Sequence, residues 1–160
     1  MTTDAWRKMT AMVALVVSTA IAGNARAVEK IEPDEKGVKL VGQVLTALVI
    51  EDEGERLKAV LALVHKSLKT KDGADLTRTV KEFSYKKAVR AAKLYENPPA
   101  IHQVHKGRDV TIGFKETAEK GRKDKYFVKK KEGVAGRPAP IIVFWPAGDG
   151  EPTVVDFGSL

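Results

Sequence analysis

The chain has 160 residues, a formal charge of +7, 31% charged and 43% hydrophobic residues, and no cysteine. Its length suits one domain with its own core, and the lack of cysteine excludes both disulfide staples and thiol catalysis. The charge is local: residues 106–137 hold eleven basic side chains against five acidic ones, so this segment alone is +6.

Residues 1–27 have the layout of a secretory signal peptide. Arg7 and Lys8 open it, residues 9–23 are apolar and uncharged, and Ala25-Arg-Ala27 is a cleavage signal. The mature chain is therefore expected to begin at Val28, in the periplasm or outside the cell. The apolar run is shorter than the ~20 residues that cross a bilayer. No twin arginine precedes it and no cysteine follows it, so neither the twin-arginine route nor lipid attachment is indicated. After cleavage no transmembrane segment is expected, and residues 28–37, with Pro33 and Gly37, read as a charged leader to a single domain over 38–160.

Residues 38–50 are apolar at positions that fit both helical and strand spacing, and a run of more than ten residues favours helix. Leu57, Val60, Leu61, Val64 and Leu68 follow the helical i, i+3, i+4 pattern, behind the acids Glu51, Asp52, Glu53 and Glu55. Those acids read as a solvated first turn. A third helix is predicted from a cap at Asp75 to about Tyr95. Its apolar stripe changes register near Ser84, from Leu76, Val80, Phe83 and Leu94 to Tyr85, Ala88, Val89 and Ala92, which predicts a break there.

From Ala100 the period changes to two. Residues 101–105 and 110–114 read as strands joined by a turn at 106–109, residues 119–122 as the next turn, and 124–130 as a returning strand. Ile141-Ile-Val-Phe-Trp145 is the most strongly β-forming run and the predicted central strand, both faces buried. The turn at Gly148-Asp-Gly150 and a last strand over 152–157 close the chain.

Helices followed by hairpin-linked strands define an α+β fold, with two or three N-terminal helices packed on a curved antiparallel sheet of about four to five strands. Over residues 38–157 this element order resembles the nuclear-transport-factor-two-like and cystatin-like group. The resemblance implies a cone-shaped domain with an apolar pocket between helices and sheet, in a group that holds enzymes, inhibitors and binding domains.

No catalytic motif stands in the chain. Ser67, Ser84 and Ser159 lack a nucleophile signature, while Asp124 or Asp156 beside Tyr126 could do acid–base work inside a pocket. His102 and His105 leave opposite faces of one strand, and His65 reads as a partly buried surface residue, so no metal site is indicated. The glycine pairs 133/136 and 148/150 lack the lysine and helix of a phosphate loop, and no cofactor is expected.

One surface stands out. Alternation puts Lys115, Lys125, Phe127 and Lys129 on one sheet face, an aromatic ring framed by positive charge that suits polyanions. The sequence thus points to an exported, non-catalytic binding module of the cell envelope, with an anionic envelope component or an acidic protein as partner and not nucleic acid. The alternative is a small enzyme or carrier of a small apolar ligand, with its site between helices and sheet. Export is checked by mass spectrometry of the protein from its natural host: the expected first residue is Val28, and an intact Met1 in a cytoplasmic fraction would contradict it.

Overall fold

The structure, a computed structural model, describes residues 28–114 and 118–160; the signal-peptide segment and Lys115 lie outside them. The fold is α+β. Three α-helices pack on an open, antiparallel six-stranded sheet, β1 (Lys30–Ile31), β2 (Ile101–His105), β3 (Asp109–Ile112), β4 (Glu119–Val128), β5 (Ala139–Pro146) and β6 (Thr153–Asp156). Because β1 precedes the first helix, the helices are not strictly N-terminal. Among the described residues no helix is long and apolar enough to cross a membrane.

Helix α1 (Glu35–Leu48) is the predicted helix over 38–50, and the leader is partly structured: it supplies β1 and the cap. The Asp34 carboxylate accepts from the backbone amides of Lys36 and Gly37, satisfying donors that a helix start leaves open. Leu40, Val41, Val44, Leu45 and Leu48 form the stripe that α1 buries. At its first turn Gly37 lies directly on Tyr126 of β4. A Cβ there would sit 2.0 Å from the tyrosine hydroxyl oxygen, so only glycine lets the helix approach so closely.

Helix α2 (Glu53–Leu63) starts at Asp52, whose carboxylate accepts from the Glu55 amide; the acidic cluster is a cap and its solvated first turn. The helix is shorter than its stripe suggested. Val64 is already extended and bridges Val154 in parallel, with the His65 amide donating to the Val154 carbonyl at 2.8 Å. The chain leaving α2 thus runs along the outer edge of β6.

The third helical segment starts later than predicted. Asp75 does not cap it; its carboxylate accepts from the Leu76 amide and pairs with Lys81. A π-helical stretch, Val80–Tyr85, then runs into α3 (Lys86–Ala92). The wider turn shifts the register at the place where the stripe changes, as expected. Tyr85, Ala88 and Ala92 enter the core, whereas Phe83, assigned from sequence to the apolar face, is 74% exposed.

The sheet differs from the hairpin series read from sequence. β2 and β3 do not pair with each other. Both pair with β4, end to end, β2 against its second half and β3 against its first. Residues 119–122, predicted as a turn, are the first half of β4, the longest strand and the one with most partners. Gly121 misled because its side-chain space is taken: a Cβ would lie 2.5 Å from a Phe144 ring carbon and 2.2 Å from the Trp145 carbonyl oxygen. β5 is interior, between β4 and β6, but β4 is the hub.

On the helix side, Val104, Tyr126, Val128, Ile141, Val143 and Val154 are fully buried against α1 and α3. Phe144 points the other way and is buried as well, its ring edge-to-face with His65 at 5.3 Å. β5 therefore has buried residues on both faces. Ile141→Ala and Phe144→Ala are each expected to cost about 2–5 kcal/mol, the usual range for such truncations in a packed interior. Urea unfolding measures this, and a loss below ~0.5 kcal/mol at both positions would show that the strand does not anchor the fold.

Candidate functional site

Asp124, Tyr126 and Val128 turn inward, so the residues between them turn out. This puts Lys125 and Phe127 together on the sheet face away from the helices, as the sequence predicts; Lys125 is exposed and Phe127 half-buried. Lys129 lies one residue past β4. Its amide donates to the Ala100 carbonyl at 2.8 Å, which keeps it in step with the ladder, and it is exposed.

Two neighbours join this face that local sequence does not reveal. His105 of β2 pairs in register with Lys125 and packs its ring on Phe127, centroids 4.6 Å apart and planes tilted by 55°. Lys30 of β1 pairs with His105 from the other side. A cross-strand row Lys30–His105–Lys125 results, with the aromatic ring on its flank. Burial holds the imidazole of His105 below its usual pKa, and the charges of Lys30 and Lys125 push it the same way.

The residues considered for acid–base chemistry are committed elsewhere. Asp124 is fully buried on the helix side. Arg122 donates to both its oxygens through Nε and Nη2, at 2.9–3.1 Å, and the Gly107 amide donates to Oδ1 at 2.9 Å. Tyr126 shares that face. Burial, followed by the nearby Asp124 charge, raises its pKa to about 12, so it is a neutral phenol at any physiological pH. Asp156 accepts from the Gly158 amide at the end of β6.

His65 is more deeply placed than the sequence suggests, at 4% exposure. Its Nδ1 accepts from the Ser67 amide at 3.0 Å, and its Nε2 lies 3.3 Å from Glu119 Oε2. Ser67 Oγ is 2.9 Å from Nδ1. Serine, histidine and glutamate thus stand in a chain, but Nδ1 already receives the backbone amide two residues on, the geometry of a local cap. The imidazole fastens the exit of α2 to the start of β4, where Lys66 also pairs with Glu119 at 2.9 Å. Among the described residues, no group of three or more His, Asp or Glu is placed to hold a metal.

Five cavities formed by the described residues have neither Asp124 nor Tyr126 in their linings. The space between α1 and the sheet is filled by Val41, Val44, Leu48, Tyr126, Ile141 and Val143, each 0% exposed. The most apolar cavity, of about 630 Å³, is an open groove on the far side of α1, bounded by Val38, Gly42, Ile50, Leu63, Pro98 and Pro99. No family model, no curated protein and no solved structure matches this chain.

His65 generates a test. Burial is the largest influence on it and lowers its pKa, with the Glu119 contact opposing. Unfolded histidine takes up its proton near pH ~6.5, before the folded form does, so stability is complete above that pH and falls as pH drops through it. The urea midpoint should decline between pH 7.5 and 5.5, and His65→Gln should flatten the decline. An unchanged slope in the variant would remove His65 from that role.

Proposed function

We propose that this protein is a small exported, non-catalytic module that binds an anionic component of the cell envelope through the face carrying Lys125, Phe127 and Lys129, together with Lys30 and His105. The observation that carries this reading is the cross-strand row Lys30–His105–Lys125 beside the Phe127 ring. It puts exposed positive charge next to a half-buried aromatic surface, the combination that holds polyanions. The filled space between helices and sheet supports a binding role over an enclosed reaction site, because Asp124 is spent on Arg122 and Gly107. Export, the cell-envelope location and the kinship with the cone-shaped nuclear-transport-factor-two-like and cystatin-like group belong to the same proposal. The order of three helices before strands β2 to β6 supports the kinship.

A second reading has one observation in its favour. The apolar groove between α1, α2 and Pro98–Pro99 could seat a small apolar ligand, and the protein would then be a carrier.

The binding reading is tested by co-sedimentation with anionic vesicles across a salt series. Retention should be strong at low salt and weaken toward physiological strength, where the screening length shortens to ~8 Å. Lys125→Gln and Phe127→Ala should each reduce it, while Lys86→Gln and Lys93→Gln on the third helical segment should not. Equal losses from both sets would mean that only net charge matters.

A further inference from the structure

His105 is the central member of its row, and among the described residues the charges that act on it are those of Lys30 and Lys125. From β1 it faces Lys30, and from β4 it faces Lys125. On its own strand side Lys106 follows, tied to Glu29 at 2.9 Å. Beyond Lys125 the register continues through Ile142 to Asp156, whose carboxylate accepts from the Gly158 amide. The Phe127 ring covers one side of the imidazole. Its Nε2 is covered and makes no hydrogen bond, an arrangement that calls for an explanation, since buried polar atoms are nearly always paired.

The row is flat. With strands ~4.8 Å apart, three cross-strand residues span about 10 Å, and none of the three lines any of the five cavities described above. A single small anion is held by enclosure, through converging amides or side chains; an array of phosphates on a surface matches a flat cationic row better.

We propose that Lys30, His105 and Lys125 form a proton-linked docking row for the phosphate groups of an anionic bilayer surface, in which occupancy by phosphate protonates His105. This rests on the binding reading above and adds its regulation. In the free protein burial, and then the charges of Lys30 and Lys125, disfavour the protonated imidazole. Phosphates that pair with Lys30 and Lys125 remove the repulsion, so His105 takes up a proton from solvent and adds a third positive charge to the row. Linkage is reciprocal: if binding favours the proton, the proton favours binding by the same factor. Affinity therefore rises as pH falls through the histidine range.

The test uses the chain from Val28, the mature form under the export proposal, which contains the core residues found among the described residues. Its retention on phosphatidylcholine vesicles containing phosphatidylglycerol is measured at pH 7.5 and 5.5 and constant low salt. Retention should rise about five-fold on acidification, the factor that one added cationic residue confers near an anionic bilayer. His105→Gln should lose the rise on acidification, whereas His102→Gln should keep it. A rise that persists in His105→Gln overturns the inference while leaving vesicle binding intact. No retention of the parent at either pH sinks the binding reading itself. Retention abolished by millimolar inorganic phosphate at fixed ionic strength would show a small-anion site and overturn the bilayer assignment. Should His105→Gln fold poorly, the imidazole proton resonances of Lys30→Gln decide: removing one flanking cation should raise the His105 pKa, and an unmoved titration would refute the coupling.

Discussion

The sheet depends on a buried carboxylate at a break in its own ladder. β2 and β3 lie end to end along one edge of β4, and residues 106–108 between them cannot continue the pairing. Gly107 comes so close to β4 that a Cβ would overlap the Lys123 carbonyl oxygen, at 1.4 Å. Its amide would be left without a backbone partner, and the Asp124 side chain supplies one. Arg122, two residues back on the same face, neutralises the charge through a two-pronged contact. Taking away one member of such a set leaves an unpaired charge or amide in the interior, the costly outcome for buried polar groups. The same interaction that holds the sheet together disqualifies Asp124 as a general base.

Once β4 is held in this way, its alternation sorts the rest of the molecule. Tyr126 and Val128 go to the helix side, where α1 lies close enough to require glycine at 37. Lys125 and Phe127 go to the opposite side, where β2 and β1 add His105 and Lys30. Among the described residues the space between α1 and the sheet is filled, and the face with Lys125 lies on the outside of the sheet.

Much of this was legible in the sequence because it is local. The stripe of α1, the acids heading α2, the register change near Ser84, the period-two residues of β2 and the run from Ile141 to Trp145 all report their elements through near neighbours. The misreadings came from distant contacts. Gly121, between Lys120 and Arg122, looks like a turn unless one knows that the Phe144 ring and the Trp145 carbonyl fill its side-chain space. His65 looks like a surface residue until Phe144 and Glu119 close over it. Lys125 and Phe127 could be put on one face by alternation alone, but their partners Lys30 and His105 come from strands 95 and 20 positions away from Lys125, and only the pairing brings them in.

The edges of the sheet have a bearing on how the chain survives in crowded surroundings. A free strand edge invites another chain to add to it. Here β1 offers two residues, flanked by the Glu29–Lys106 charge pair, and β3 offers four. The outer side of β6 is engaged at Val154 by the chain leaving α2. Among the described residues, neither β1 nor β3 is as long as a strand of ordinary length, about 5–6 residues. A cysteine-free domain has no disulfide to guard against misassociation, and short or covered borders give another chain little ladder to extend.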